Sequence, residues 1–327
     1  MTRAALIALL LATLATLAAC SAAPGPTSAT VAPAPCSPGV AITGFSDTLD
    51  GAEYGARRTW PVTGLSGLAV DRDGSLLALS DRSVLFTLDP RTRRPTNAVP
   101  LVDETGASLD AEGLAVDADG TRLVTSEAEP SVRRYDASGR VLGRLDVPPA
   151  TAERARRNKT LEGVAVLTPG GPVVAAMEGP LDGDDPGVRR FPTWTGGVPG
   201  PEYAYRPDAG LDVSELAATG DGRLLVVERS YTSGVGNTVH LALADPRGVT
   251  DARPVPRTLL ADLGACPSLG AASQQAQANP LLDNVEGMTV LGRTADGALR
   301  VLLVSDDNQD DEQTTRLSDV LVRLPPA

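Results

Sequence analysis

Short apolar runs alternate with glycine-containing turns along most of the chain. The clearest example is residues 110–135, DAEGLAVDADGTRLVTSEAEPSVRRY, in which Glu112 and Gly113 precede the first apolar run. An Asp-Gly type of turn follows, and a second apolar run ends at Ser126 and Glu127. Apolar runs of this length separated by tight turns predict a series of antiparallel β-strands.

Weaker copies of the same pattern begin at Gly64, Thr160, Asp212 and Asn284. We align Glu112 with Ser66, Glu162, Glu215 and Glu286, which gives intervals of 46, 50, 53 and 71 residues. Strand-rich repeats of this period predict a β-propeller in which each repeat forms one four-stranded blade. The predicted fold is therefore all-β, a single β-propeller with five recognised blades. A sixth blade remains open as an alternative, although residues 266–284 in the longest interval have the pattern of a loop.

The last repeat contains only three good strand candidates, whereas residues 40–45 (VAITGF) form a strand-like run ahead of the first repeat. We predict that this early strand completes the last blade, because an N-terminal strand placed there removes the open edge of a circular array.

The first residues have the features of a secretory signal: Arg3, an Ala- and Leu-rich run, and the ending Leu17-Ala18-Ala19-Cys20. This ending is typical of a bacterial lipobox, in which the cysteine receives the lipid. We predict a signal peptide over 1–20, a disordered tether over 21–37 and the propeller domain over 38–327. The protein is expected to be exported and attached to the bacterial cell membrane only through the lipid on Cys20.

Composition narrows the possible partners. The net charge of −12 disfavours nucleic acid and anionic membrane surfaces as partners and suits a cation-binding protein. Cys36 and Cys266 are the cysteines that remain after Cys20. Because disulfides persist in exported proteins, we expect these two to pair, with two buried free thiols as the alternative. We expect a monomer.

Carboxylates recur at the strand ends. In four repeats a Glu, and in the first repeat Ser66, precedes the first strand, and in every repeat the second strand ends at another acidic residue. Antiparallel pairing should bring both sets to one mouth of the central channel, where Ca²⁺ would compensate their repulsion. The alternative is that these residues only cap the same turn in every blade. The second set comprises Asp81, Glu127, Glu178, Glu228 and Asp306.

Absences exclude several chemistries. His240 is the single histidine, which excludes a multi-histidine zinc site. It lies in an alternating strand pattern, on the opposite face from Val239 and Leu241, which favours a surface or packed histidine over a member of a Ser-His-Asp triad. No phosphate-binding loop or nucleophile elbow stands in a suitable context. Carboxylate and metal chemistry remains.

The phrases GLSGLAVD, DAEGLAV, NKTLEGVAV, LLVVERSY, NVEGM and LLVSDDN occur in an order that resembles the esterase-like-activity-of-phytase family, a phytase-like propeller. The resemblance covers about residues 44–324. It implies an ester or phosphoester hydrolase whose recurring acidic residues form the site. It leaves the substrate undefined beyond a small anionic ester or phosphoester.

On this basis we expect one or two Ca²⁺ ions to bind an ester and activate a water. A non-catalytic ligand-binding envelope propeller is the alternative, and a lactonase-type propeller is a third interpretation. The expected catalytic residues are Glu112, Glu162, Glu215, Glu228 and Glu286. The expected metal ligands are Glu112, Glu162, Glu178, Glu286, Asp306 and Asp307. The residues expected to hold the anion are Arg82, Lys159 and Arg229.

Overall fold

Antiparallel strands account for nearly all regular structure in the computed structural model, which describes residues 35–249 and 253–326. Strand β1 (Val40–Ser46) comes first, followed by a small hairpin of β2 (Glu53–Tyr54) and β3 (Trp60–Pro61). Blade 1 then contains β4 (Leu65–Val70), β5 (Leu76–Ser80), β6 (Val84–Leu88) and β7 (Pro95–Pro100). Blade 2 contains β8 (Ala111–Val116), β9 (Arg122–Ser126), β10 (Ser131–Tyr135) and β11 (Val141–Asp146).

Blade 3 is the least regular. A one-turn helix, α1 (Pro149–Ala152), precedes it. Its sheet contains β12 (Leu161–Val166), β13 (Val173–Met177), β15 (Thr193–Thr195) and β16 (Val198–Pro199). A separate two-stranded sheet is formed by β14 (Arg189–Phe191) and β17 (Tyr203–Tyr205).

Blades 4 and 5 have longer strands. Blade 4 contains β18 (Asp212–Ala218), β19 (Leu224–Thr232), β20 (Gly236–Ala244) and β21 (Arg257–Asp262). Blade 5 contains β22 (Asn284–Arg293), β23 (Leu299–Asp306), β24 (Leu317–Val322) and the early strand β1. The prediction of a five-bladed propeller is therefore confirmed. Among the described residues between blades 4 and 5, the regular structure is a 3₁₀ turn at Leu263–Ala265, so the long interval adds no sixth blade.

Strand β1 closes the ring as predicted. It pairs antiparallel with β24, with Val40 opposite Val322 and Ser46 opposite Leu317. The first and last parts of the propeller chain are thereby joined in one sheet, in which β1 supplies the fourth strand of blade 5.

The innermost strands of the five blades contact one another in the cyclic order β4, β8, β12, β18 and β22. This close approach explains why Gly follows Glu in several repeats. A Cβ added at Gly113 would lie 2.4 Å from the carbonyl oxygen of Glu162, and one at Gly163 would lie 2.4 Å from the backbone nitrogen of Leu216. Glycine is required there because the neighbouring backbone occupies the space of a side chain.

The core consists of apolar layers between adjacent blades. Strand β19 illustrates this, because Leu224 and Val226 pack in a cluster with blade 3 residues, whereas Leu225 and Val227 pack in a cluster with blade 5 residues. Both faces of the strand are buried, which accounts for the continuous apolar run in the sequence.

A disulfide joins Cys36 to Cys266 and ties the segment before β1 to the loop after blade 4, as predicted. The signal peptide, Cys20 and most of the predicted tether lie outside the described residues. Over the described ranges, the structure contains no apolar helix of membrane-spanning length.

Candidate metal and substrate site

One end of the central channel carries the carboxylates. Antiparallel pairing places the start of each innermost strand beside the end of the second strand, so that Asn284 lies opposite Asp306 in blade 5. The two sets of acidic residues therefore lie at the same end of the propeller. We refer to this end as the acidic mouth, which comprises Asp110, Glu112, Glu127, Glu162, Glu178, Glu286 and Asp306.

A β-bulge in the innermost strand positions the carboxylate of several blades. In blade 5, Val285 pairs with Ser305 and Gly287 with Val304, so Glu286 is the extra residue between them. Register shifts also occur between Ala111 and Leu114 and between Leu161 and Val164, where Glu112 and Glu162 lie. A bulge leaves its extra residue outside the ladder and re-aims its side chain.

The sequence alignment of the fourth repeat was wrong by one residue. In blade 4, Val213 pairs with Glu228 and Glu215 pairs with Val227, so Ser214 is the extra residue of the bulge. Ser214 is thus the counterpart of Glu286, and Glu215 occupies the glycine position. The apolar residue that precedes each bulge would have given the correct alignment, because Val213 corresponds to Val285.

Glu228 consequently does not belong to the acidic mouth. It is fully buried and forms a bidentate ion pair with Arg257, which donates to Oε1 at 2.6 Å and to Oε2 at 2.7 Å. The Tyr205 hydroxyl and the Asp208 backbone N–H also donate to it. Glu228, Asp208 and His240 lie close enough together to hold a metal ion, but Arg257 already supplies the compensating charge.

Glu215 is fully buried between the innermost strands. Its Oε1 accepts the backbone N–H of Leu216 at 2.8 Å and lies 2.4 Å from the position of a Cβ on Gly163. Burial raises the pKa of Glu215 well above its usual value. The sequence alignment placed Glu215 with Glu112 and Glu162. In the structure its side chain instead packs against Gly163, where the absence of a Cβ leaves room for the carboxylate.

Arg229 occupies the strand-end position that carries an acidic residue in the other four blades. Its guanidinium contacts Glu286 Oε1 at 2.5 Å, and the Asn284 side chain donates to the same oxygen at 2.9 Å. Attraction to Glu286, Glu162, Glu178 and Asp306 outweighs the effect of burial and raises the pKa of Arg229. Arg229 therefore neutralises one side of the acidic mouth.

Asp306 and Asp307 differ in their surroundings. Asp306 accepts the Asn308 backbone N–H at 2.8 Å, and burial raises its pKa to about 8. Burial raises the pKa of Asp307, but the hydrogen bonds that it accepts from Thr63, Gly64 and Thr315 outweigh burial and lower the pKa. Asp307 therefore joins the segment at Thr63 and Gly64 to Thr315, and both of its oxygens are engaged within the protein.

Five carboxylates from blades 2 and 3 converge on the other side of the mouth. Oxygens of Asp110, Glu112 and Glu127 lie within 4.8 Å of one another, and so do oxygens of Glu127, Glu162 and Glu178. Our sequence-based metal ligands included Glu112, Glu162 and Glu178 but omitted Asp110 and Glu127. The signal for Glu127 was its position at the end of the second strand, which it shares with Glu178.

The expected anion-binding residues are distributed unevenly. Lys159 contacts Glu178 Oε1 at 2.9 Å and Asp212 Oδ2 at 2.8 Å, beside the blade 3 carboxylates. Arg82 is 64% exposed and contacts the side chain of Gln309, with Asp81 3.7 Å away. Lys159 and Arg229 thus border the mouth, whereas Arg82 projects mainly into solvent.

Protonation of the blade 2 and blade 3 carboxylates is strongly perturbed. Burial, followed by repulsion from neighbouring carboxylates, raises the pKa of Glu112 and of Glu162 well above the usual value. Burial raises the pKa of Glu127 to about 7, with Glu178 adding to the effect. These carboxyl groups bind protons readily in the absence of another cation.

The donor set fits a hard divalent cation. Glu162 is 6% exposed and Glu112 is 9% exposed, and no residue that the structure describes donates a hydrogen bond to either carboxylate. Buried carboxylates without donors are costly unless they are protonated or bound to a cation. Carboxylate oxygens from several residues are the ligands that Ca²⁺ prefers.

The side chains that line the opposite end of the channel are mostly apolar. A cavity of about 170 Å³ there is lined by residues of all five innermost strands, including Val70, Val116, Val166, Ala218 and Val290. The two ends of the channel therefore differ in chemistry, and the candidate site lies at the acidic mouth alone.

Comparison with known proteins identifies the family. A family model named phytase-like, described as esterase-like activity of phytase, matches residues 60–309. The chain belongs to the phytase-like family. No curated protein matches the chain.

Two solved structures to which the chain is similar are distant in sequence. A streptogramin B lyase is 11% identical with a TM-score of 0.42, covering 83% of this chain and 69% of its own. A virginiamycin B lyase from Staphylococcus aureus is 12% identical with a TM-score of 0.39, covering 80% of this chain and 96% of its own. At these identities and TM-scores the two lyases do not indicate the chemistry of this phytase-like propeller.

Proposed function

We propose that this phytase-like propeller is a metal-dependent hydrolase of a small ester or phosphoester, with Ca²⁺ as the cation. The observation that carries the proposal is the pair of buried carboxylates, Glu112 and Glu162, that face other carboxylates and receive no hydrogen bond from the described residues. A purely turn-capping role does not account for them, because a capping carboxylate accepts backbone N–H groups.

The acidic residues of the site would bind the cation, and the basic residues would bind the substrate. Asp110, Glu112, Glu127, Glu162 and Glu178 would hold the cation, which supplies Lewis acidity toward the ester oxygen when bound. A carboxylate that retains a free oxygen would accept the proton of the attacking water.

Lys159 and Arg229 would attract the anionic part of the substrate, because both already lie at the edge of the carboxylate cluster. Each is also paired with a carboxylate, so substrate oxygens would share or replace these contacts. Arg82 would contribute to attraction from a distance, since it is mostly exposed.

We also propose that the protein is exported and anchored through lipid on Cys20. The support is the sequence Leu17-Ala18-Ala19-Cys20 after an apolar run. The disulfide between Cys36 and Cys266 agrees with an oxidising compartment.

The test is a calorimetric Ca²⁺ titration of the purified protein, followed by a panel of aryl esters, lactones and phosphoesters assayed with Ca²⁺ and with a chelator. We expect Ca²⁺ binding and chelator-sensitive hydrolysis of at least one ester class. Glu112→Gln and Glu162→Gln should each lower both affinity and turnover. Glu312→Gln is the matched control, because it removes one exposed carboxylate from the neighbouring acidic loop.

Two results would count against a hydrolase. Turnover that is unaffected by both glutamine substitutions would place the reaction elsewhere on the propeller. Ca²⁺ binding without hydrolysis of any ester class would favour a ligand-binding envelope propeller.

A further inference from the structure

The carboxylates of blades 2 and 3 form two groups that share one residue. Asp110, Glu112 and Glu127 form the first group, and Glu127, Glu162 and Glu178 form the second, each with oxygens within 4.8 Å of one another. Glu127 therefore lies between two sets of possible ligands. A carboxylate has two oxygens and can offer one to each side.

Each group contains a buried carboxylate that lacks a donor. Glu112 in the first group and Glu162 in the second are both at least nine-tenths buried and receive no hydrogen bond from the part of the chain that the structure describes. A single cation placed against one of them would leave the other uncompensated. The cost of a buried unpaired charge therefore applies twice.

The net charge of these five carboxylates also indicates two cations. The five carboxylates are accompanied by one ammonium group, that of Lys159, which contacts Glu178. Arg229 also attracts Glu162 and Glu178, but its guanidinium is engaged by Glu286. When all five carboxylates are ionised, four negative charges therefore remain within this group, which two divalent cations would neutralise.

Protein groups already compensate the carboxylates on the other side of the mouth. Arg229 and the Asn284 side chain both contact Glu286 Oε1, and the Asn308 backbone N–H donates to Asp306. Blades 2 and 3 are therefore the part of the mouth in which cations are needed.

We propose that the acidic mouth binds two divalent cations bridged by the carboxylate of Glu127. The outer cation would be held by Asp110, Glu112 and Glu127, and the inner one by Glu127, Glu162 and Glu178. Cations that share a carboxylate lie about 4 Å apart, a spacing at which two metals can contact the same ester or phosphate group. This inference rests on the proposed function and specifies the metal content of the same site.

The two positions should differ in accessibility. Asp110 is exposed, whereas Glu162 and Glu178 are both buried. The outer cation should therefore exchange readily and retain more water ligands than the inner one. We expect the inner position to fill first in a titration.

The test is the number of Ca²⁺ ions bound per chain, measured by calorimetry and by equilibrium dialysis with metal analysis. We expect two ions for the unmodified protein and two for the Glu312→Gln control. Asp110→Asn should weaken only the outer ion, by roughly 10-fold or more, and Glu178→Gln should weaken only the inner ion by a similar factor. Glu127→Gln should weaken both. Circular dichroism and urea unfolding in chelator would establish that each variant is folded.

The possible failures are distinguishable. One ion per chain, or a Glu127→Gln variant that loses only one of two ions, would overturn the bridged centre while leaving a single-metal hydrolase intact. Two ions of which both depend on Glu127, with no hydrolysis of any ester, would support the bridged centre and refute the hydrolase. An absence of Ca²⁺ binding would overturn both.

Discussion

Glu228 and Glu162 offer a direct test of the structure, because the sequence assigned them to one site and the structure separates them. Glu228 is fully buried and is held by Arg257, Tyr205 and the Asp208 backbone. Glu162 is also buried but receives no hydrogen bond from the described residues. Replacing each by glutamine removes one charge and changes the shape very little, so the two variants are matched.

Glu228→Gln should destabilise the fold. The change leaves the Arg257 guanidinium without its bidentate partner, with contacts of 2.6 and 2.7 Å lost or weakened. Breaking a buried ion pair costs about 3–5 kcal/mol. In a domain of this size each kcal/mol lowers the melting temperature by about 2–4 °C, so we expect a decrease on the order of 10 °C. Asp208, which also contacts Arg257, would reduce this effect in part.

Glu162→Gln should behave in the opposite way. In chelator its stability should equal or exceed that of the unmodified protein, because glutamine requires neither the proton nor the cation that the buried carboxylate needs. The increase in melting temperature on adding Ca²⁺ should become smaller for Glu162→Gln and remain unchanged for Glu228→Gln.

The assay is thermal and urea unfolding of both variants, each in chelator and in Ca²⁺. Our assignment would be refuted if Glu228→Gln abolished the Ca²⁺ effect without loss of stability. It would also be refuted if Glu162→Gln destabilised the chelated protein as much as Glu228→Gln does.

Four further predictions concern other parts of the molecule. Cys36→Ser opens a covalent loop with a sequence separation of 230 residues, so the free energy of unfolding should fall by up to about 5 kcal/mol, and an unchanged urea midpoint would contradict this. Gly163→Ala should cost about 1–3 kcal/mol because its Cβ meets backbone, whereas Gly44→Ala, with no atom within 4 Å, should have little effect on the same urea curves. In chelator the melting temperature should fall as pH rises from 5 to 8, because burial raises the pKa of Asp306 to about 8 and the stability of its protonated form is lost through that range; a rise with pH would contradict the assignment. Cys20→Ser should release the protein from membranes, and continued membrane retention without lipid on the peptide would exclude the anchor.

Much of the fold could be predicted from the pattern of apolar residues. The number of blades, their four-stranded character and the closure by residues 40–45 followed from repeats, because each blade must bury both faces of its central strands. The pairing of Cys36 with Cys266 followed from the count of cysteines available after Cys20. The Glu-Gly pairs also marked the innermost strands, although the reason for the glycine, close contact with the next blade, is visible only in the structure.

The register within a repeat was harder to predict. Two neighbouring residues, Ser214 and Glu215, could each match the recurring Glu, and the sequence gives more weight to the identical residue type. The bulge selects Ser214, because the pairing of Val213 with Glu228 and of Glu215 with Val227 leaves only one residue between them. A shift of one position moves a side chain to the opposite face of a strand. The first strand of this repeat was misaligned by one residue in one direction and the second strand by one residue in the other, which displaced Glu215 and Glu228 respectively.

The sequence by itself determined that acidic side chains gather at one mouth of a five-bladed propeller, because antiparallel strands return the chain to the same end of every blade. Only the tertiary structure decided which of them remain uncompensated. Arg229 and the Asn284 side chain engage Glu286, and Arg257 engages Glu228, across distances in sequence that no local pattern reveals. Charge compensation depends on distances of a few ångströms between different blades, and those distances exist only after the ring has closed.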